Sequence, residues 1–380
     1  MKLTIEQAVL QKALRRVVSV VPRRNTIPVL SNVLIDAETD AGDGRVWIVA
    51  TDLDMEAKIA VDAQIARPGR VTIEADRLNN IVAAAPAGAA IDLDWEPSRD
   101  PRVQLAFGRS RYQLSALAHD VFPVWSIKDW THRLSVTALD LAQLLDRTSF
   151  AASQESTRTY MHGCYLHIVS LQGEVRLRAA ATDTHRLAYA DAVFEGDKDM
   201  PGVIIPLKAV AEFKRALDAT VGPVEVSVSR AGIRLSTENF SLCSKVVDGA
   251  FVDYARVVPI SADHEIEVDR RLLHAAVTRT ALVSTERTKP VKLSFGDNSI
   301  RLTVLSETSD HAVEEIDAEF SGEPFEAGFN SRYLIDALQQ TGAERLHLMI
   351  QDFASPLRLV PTADDPEAGQ ALAIVMPQRV

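Results

Sequence analysis

The chain has 380 residues, a hydrophobic share of 47% and a formal net charge of -11, the profile of a soluble globular protein of two to four domains rather than a disordered one. Its longest nearly apolar run, 81–91, is broken by Pro86 and Gly88 and is too short for a membrane span. The acidic balance excludes a protein that grips nucleic acid by overall charge. Two cysteines, Cys164 and Cys243, lie far apart without metal-ligand spacing, so neither a disulfide framework nor a zinc site is expected, and a reducing cytoplasm is the expected compartment. A carboxylate at Glu6 interrupts the N-terminus before a signal-peptide core could form.

Taken in order, six stretches place apolar residues at three- and four-residue spacing and predict amphipathic helices: 4–21, 74–86, 136–153, 206–220, 267–284 and 330–342. Thr4 and Asp269 are expected N-caps, Pro206 suits a first helical turn and Gly342 a C-terminal cap. Short alternating runs between them, at 45–49, 56–61, 90–95, 103–107, 111–117, 175–181, 188–194, 224–228 and 233–236, predict antiparallel strands. The segment 361–369 reads as an acidic hairpin loop.

The pattern repeats. Thr51-Asp52-Leu53-Asp54-Met55 and Thr182-Asp183-Thr184-His185-Arg186 each join two strand-like runs, and their Thr-Asp pairs are 131 residues apart. A weaker copy, Leu305-Ser306-Glu307-Thr308-Ser309-Asp310, follows about one period later, and Tyr112, Asp120 and Phe122 are echoed by Phe240, Asp248 and Phe251. Helix followed by strands is therefore a half-domain used six times. The expected fold class is α+β, with three similar domains at 1–128, 129–259 and 260–380.

The six helical stretches carry twelve basic and ten acidic residues, so they sum to +2 and the rest of the chain to -13. One reading is ordinary solvated helix faces. The other is a mildly positive surface set in an acidic body, which would tolerate nucleic acid without gripping it.

Enzyme signatures are missing: no Walker loop, no G-x-G-x-x-G after a strand, no H-E-x-x-H, no C-x-x-C and no G-x-S-x-G. Asp52 with Asp54 could hold a metal, and Asp183 with His185 could form an acid–base pair. Carboxylates in strand-to-strand turns usually accept backbone hydrogen bonds instead, and their recurrence in two domains fits a shared turn better than one active site. No enzyme activity, cofactor or metal is expected.

Seven motifs together, Arg24 to Leu30, Thr51 to Glu56, Gly108 to Tyr112, Ala181 to Leu187, Ser244 to Phe251, Gly328 to Asn330 and Val375 to Val380, resemble those of the bacterial sliding clamps, the beta subunits of DNA polymerase III. The resemblance spans the chain and agrees with the independent six-unit repeat. It implies a non-enzymatic replication processivity factor of three clamp domains, each with two helices packed on antiparallel sheets, and two chains closing head to tail into a ring around duplex DNA. Helix dimensions favour two chains. Six helices side by side at about 9 Å close a circle only about 17 Å across, whereas twelve give about 34 Å and leave a hole of about 24 Å.

By the same resemblance, Arg24, Gln154, Tyr160 and Lys208 are expected to meet DNA, with Tyr160 able to stack on an unpaired base. A groove for short linear motifs of the polymerase, the clamp loader and repair proteins is implied at Arg158, Met161, Thr182, His185, Arg186, Leu187, Val257, Phe353, Ser355, Ile374, Val375, Met376, Pro377 and Arg379, with Asn330 and Tyr333 from the sixth helix. The ring seam is implied between the strand of Tyr112 and Leu114 and, in the other chain, Leu282 and Val283. Four positions depart from the family pattern: Thr184 for Gly, Val252 for Pro, Thr159 for an aromatic and Gln378 for Met. Thr184 leads one to expect a less strained backbone or a bulkier groove floor. Two rivals stand beside the clamp: a hydrolase using Asp183 and His185, and a paralogous clamp or peptide-binding scaffold outside replication.

Overall fold

The structure, a computed structural model, describes the chain except residues 25, 97–99, 128, 172, 287–288, 307–308, 363–370 and 380, and the side chains of 41, 100 and 101. Asn25, Glu307, Thr308, Val380 and most of the acidic loop therefore lie outside the described residues. All six predicted helices form, each shorter than its pattern: α1 (Gln7–Val17), α2 (Ala75–Ala84), α3 (Ala138–Ser149), α4 (Leu207–Asp218), α5 (Arg270–Thr280) and α6 (Ser331–Gln340). Among the described residues no helix is long and apolar enough to cross a membrane.

The caps explain where the helices begin. Asp269 accepts from the backbone N–H of Arg271 and Leu272 at 2.8 and 2.9 Å, Asn330 from Arg332 and Tyr333, and Thr137 from Asp140, each filling orphan donors of a first turn. Gly342 follows α6 at φ +76, where a side chain would be strained. Two expectations are corrected. Thr4 caps nothing: it lies inside the strand Lys2–Glu6, its hydroxyl donating to Asp92 at 2.7 Å. Pro206 ends the strand Val203–Pro206, and the helix starts one residue later.

The chain divides into two compact units, Met1–Ser135 with Ala211–Val246, and Val136–Val210 with Val247–Val380. The middle third thus contributes to both. In the first unit a five-stranded antiparallel sheet runs in the order Gln64–Arg67, Lys2–Glu6, Ala90–Glu96, Asp100–Phe107, Ser110–Leu114, so Ser110–Leu114 is an edge. A larger sheet of the same unit sets Arg70–Glu74, Asn32–Asp36, Arg45–Thr51, Met55–Asp62, Phe240–Lys245, Gly232–Ser236 and Pro223–Val228 side by side. α1 packs on α2, with Gln11 bonded to Asn79 at 2.9 Å.

The second unit has an eight-stranded sheet ordered Val203–Pro206, Gly163–Leu171, Glu174–Thr182, Arg186–Ala192, Ala371–Val375, Leu357–Pro361, Arg345–Ile350, His264–Asp269. Beside it lies a four-stranded sheet ordered His311–Asp317, Ser299–Leu305, Pro290–Gly296, Phe325–Asn330. α5 and α6 cover a core built on Phe295, Phe329, Leu334 and Val375. Here His311–Asp317 is an edge strand, alternating exposed and half-buried along its length.

Candidate functional site

The turn at 182–186 is built from its own side chains. The Thr182 hydroxyl donates to the Arg186 carbonyl (2.7 Å) and accepts from the Thr184 N–H (3.2 Å). Asp183 Oδ1 accepts from the N–H groups of His185 (2.9 Å) and Arg186 (3.0 Å), while Oδ2 accepts from the Arg186 guanidinium at 3.0 Å. The turn at 51–55 repeats all of these but the guanidinium bond: Thr51 to the Met55 carbonyl (2.7 Å), Leu53 N–H to Thr51 (3.1 Å), and Asp54 and Met55 N–H to Asp52 Oδ1 (2.9 and 2.6 Å). Both centre on a residue at φ +79, Thr184 and Leu53. Asp52 and Asp183 are therefore turn formers, and Asp183 has its oxygens committed to backbone and Arg186, not to His185 as an acid–base partner. Thr184 keeps the left-handed backbone, so the expected relief of strain is not found. Among the described residues no group of three or more His, Cys, Asp and Glu is placed to hold a metal.

Around the second turn the structure gathers most of the groove residues of the second unit. Arg186–Ala192 pairs with Ala371–Val375, setting Leu187 opposite Ile374 and Arg186 opposite Val375. The Met376 N–H then donates to the His185 carbonyl at 2.9 Å. His185 stacks on Tyr333 (centroids 6.1 Å apart, 18° between planes). Arg186 lies over the same ring at 4.6 Å and reaches Asp336 at 2.5 Å, so the guanidinium is held between α6 and the turn.

Val257, 59% exposed, belongs to the 3-10 segment Tyr254–Val257, and Tyr254 and Val258 pack this segment on Leu187 and Ile374. The segment is also fixed by polar contacts. The Tyr254 hydroxyl is 3.0 Å from His167 Nε2 and also bonds Arg178, and Arg178 makes a bidentate pair with Asp191 at 2.5 and 2.6 Å. Burial first, then the Arg178 charge, drives His167 down to about 4, so this imidazole is neutral at pH 7 and can accept.

Several predicted groove residues have other work. Val375 is fully buried in the core under α5 and α6, so its side chain is a core side chain and lines no groove. Thr182, Leu187 and Ile374 are buried as well. Asn330 spends its side chain capping α6. Ser355 bonds Asp352 in a local turn, Arg158 pairs with Glu155 at 3.0 Å, and Met161 is buried. Met376 and Phe353 are exposed, the latter by 71%.

Of the residues expected to meet DNA, Arg24, Gln154 and Lys208 are exposed and Tyr160 is 39% exposed. The helical charge count stands, but many of those cations serve the fold. Arg77, Arg215 and Arg279 pair with Glu74, Glu212 and Glu314, and Arg16 and Arg270 donate to backbone carbonyls. Lys12, Arg15 and Arg332 remain exposed with Lys208.

At the expected seam, Leu114 is buried in its own unit and Tyr112 is half-buried on the edge strand. Tyr112 also borders a cleft of about 390 Å³ with Arg77, Asn80, Ile81 and Ala84 of α2, residues that the sequence pattern gave no reason to single out. Leu282 is 81% exposed, and Val283 is half-buried against the core of its unit.

Models of the N-terminal, central and C-terminal domains of the DNA polymerase III beta subunit match residues 1–126, 135–253 and 255–379. The beta sliding clamp of Caulobacter vibrioides is 43% identical and that of Escherichia coli 32% identical, each over the whole of both chains. Among solved structures, the DNA polymerase III beta of Caulobacter crescentus matches with a TM-score of 0.92 at 42% identity. A sliding clamp from Bartonella birtlesii bound to griselimycin matches with a TM-score of 0.92 at 37% identity, and both cover all of either chain.

Proposed function

The chain belongs to the family of the DNA polymerase III beta subunit, the bacterial beta sliding clamps, and we propose from this premise how its own residues serve a clamp. It is a non-catalytic replication processivity factor: a homodimeric ring around duplex DNA that holds polymerase and other proteins through peptide motifs. The mechanism is topological confinement together with a raised effective concentration of whatever is tethered. Neither rival reading gains support. The compartment is the cytoplasm, where chromosomal DNA lies, and the domains are 1–128, 129–259 and 260–380, in keeping with the three repeats.

The observation that carries this account is a mismatch of strand edges. The strand after the first turn, Met55–Asp62, is flanked by Phe240–Lys245, and the strand after the second, Arg186–Ala192, by Ala371–Val375. The strand after the third, His311–Asp317, is an open edge, and so is Ser110–Leu114, the counterpart of Phe240–Lys245. A second copy closes both edges head to tail. Matching the two hairpins, in which Ser110 pairs with Phe107 as Phe240 closes on Thr237, and transferring the register of Phe240 opposite Ile59 and Leu242 opposite Ala57 sets Ser110 opposite Glu314 and Tyr112 opposite Ala312 of the partner subunit. Leu282 of the partner subunit then fills the cleft beside Tyr112.

His185, Arg186, Val257, Tyr333, Met376, Pro377 and Arg379 form the face offered to partner peptides. Leu187 and Ile374 lie beneath it, and Arg158 and Met161 sit on its approach. Arg24, Gln154, Tyr160 and Lys208 touch DNA, helped by Lys12, Arg15 and Arg332 on the helices. Weak, unregistered phosphate contacts are what sliding requires. The test is retention: the labelled protein, loaded on a nicked circular plasmid by a clamp loader, stays bound through a salt wash and leaves when the circle is cut once. Release by salt alone would replace confinement with ordinary electrostatic binding.

A further inference from the structure

Past the face described above, the segment 376–379 crosses to the four-stranded sheet, the Gln378 N–H donating to the Gly328 carbonyl at 2.8 Å. On its far side opens a cleft of about 620 Å³ whose lining includes Lys292, Glu326, Gly328, Phe353, Pro377 and Arg379. Lys292 and Glu326 project from neighbouring strands, and the sequence reading gave them no role. One wall is apolar, with Phe353 71% exposed beside Pro377.

The other wall is charged. Lys292 Nζ lies 3.0 Å from Glu326 Oε2, and Glu326 Oε1 accepts from Ser294 at 2.8 Å. These bonds hold the Glu326 carboxyl below the usual range. Arg379 is exposed and has no carboxylate partner among the described residues. The lining thus holds two cations against one carboxylate, with an aromatic face to receive a side-chain stem. Pro377 and Arg379 make the cleft continuous with the peptide face.

We infer that this cleft is an extension of the peptide groove that selects an acidic residue flanking the anchor motif of a partner. The carboxylate meets Lys292 and Arg379 while the stem lies on Phe353 and Pro377. Glu326, already bonded to Lys292, sets the threshold by competing with the incoming acid. The inference rests on the groove reading and sharpens its ligand class.

The probe is a synthetic peptide of the replicative polymerase's clamp-binding motif from the same organism, extended at each end in turn by Asp-Asp, Ser-Ser or Lys-Lys. Its affinity for the intact protein is read by fluorescence anisotropy. At one end Asp-Asp should bind about threefold tighter than Ser-Ser, the scale of an exposed ion pair, and Lys-Lys should bind weaker. Lys292→Ala should remove the preference and Glu326→Gln should enlarge it, while the unextended peptide keeps its affinity for both variants. Equal affinity for all flanks, or a preference unchanged in Lys292→Ala, overturns the acidic subsite and leaves the groove standing. An unextended peptide that does not bind overturns the groove reading and this inference with it.

Discussion

Thr184 holds φ +79, a conformation that costs an L-residue about 1–2 kcal/mol and suits a β-branched one least. Its turn persists because five hydrogen bonds from Thr182, Asp183 and the backbone fix it from both sides. The strain is a local debt with no contact to show for it, since the Thr184 side chain is exposed. Thr184→Gly should therefore raise stability by about 0.5–1 kcal/mol after the extra freedom of glycine in the unfolded chain is subtracted. Thr184→Ala, which keeps a Cβ at the same angle, should give no gain; both are read from urea midpoints. The turn itself was legible in the sequence, because Thr and Asp at this spacing have few other uses. The sign of the Thr184 effect was not, because a substitution for glycine is compatible with a relaxed turn or a strained one until the angle is known.

At the scale of elements, the groove depends on a segment with almost no pattern of its own. Tyr254–Val257 is a single 3-10 turn, too short for periodicity to register, yet it carries Val257 and is fastened by Tyr254 to His167 and Arg178 across the sheet. Tyr254→Phe keeps the ring packed edge-on against His167 and Phe251 and removes only these polar ties. Peptide affinity should fall about fivefold, the net worth of one to two hydrogen bonds being roughly 1 kcal/mol, and amide exchange should quicken at 254–258 and not in α3. An unchanged affinity with unchanged exchange would mean that packing alone holds the wall.

The helices, by contrast, were legible because an apolar face that recurs over ten to twelve residues outvotes local noise. Thr4 shows the limit of that reading. Leu3 and Ile5 are buried at 1% each in a strand bonded to Ala90–Glu96, and the run from Leu3 to Leu10 satisfies both the strand and the helix period. Only the distant pairing strand decides between them.

For the molecule as a whole, closure turns on two edges that neither unit can satisfy for itself. Leu282, 81% exposed, protrudes just after α5, and α5 packs against the open edge strand His311–Asp317. Fully burying a leucine contributes about 1.5–3 kcal/mol, and a homodimer counts it at both seams. Leu282→Asp removes that term and sets a carboxylate beside Glu74 and Asp76 in a cleft whose Arg77 is already paired with Glu74 at 2.8 Å, a net like-charge contact. The dimer dissociation constant should rise more than a hundredfold by sedimentation velocity. Leu282 buries almost nothing in its own chain, so the far-UV spectrum and the peptide affinity of the monomer should be unchanged. Because escape from a circle needs only one seam to open, the same variant should also leave loaded circular plasmid faster than the parent and with little dependence on salt. If dimerisation is unmoved by Leu282→Asp, the seam lies elsewhere, and the register of Tyr112 opposite Ala312 of the partner subunit falls with it.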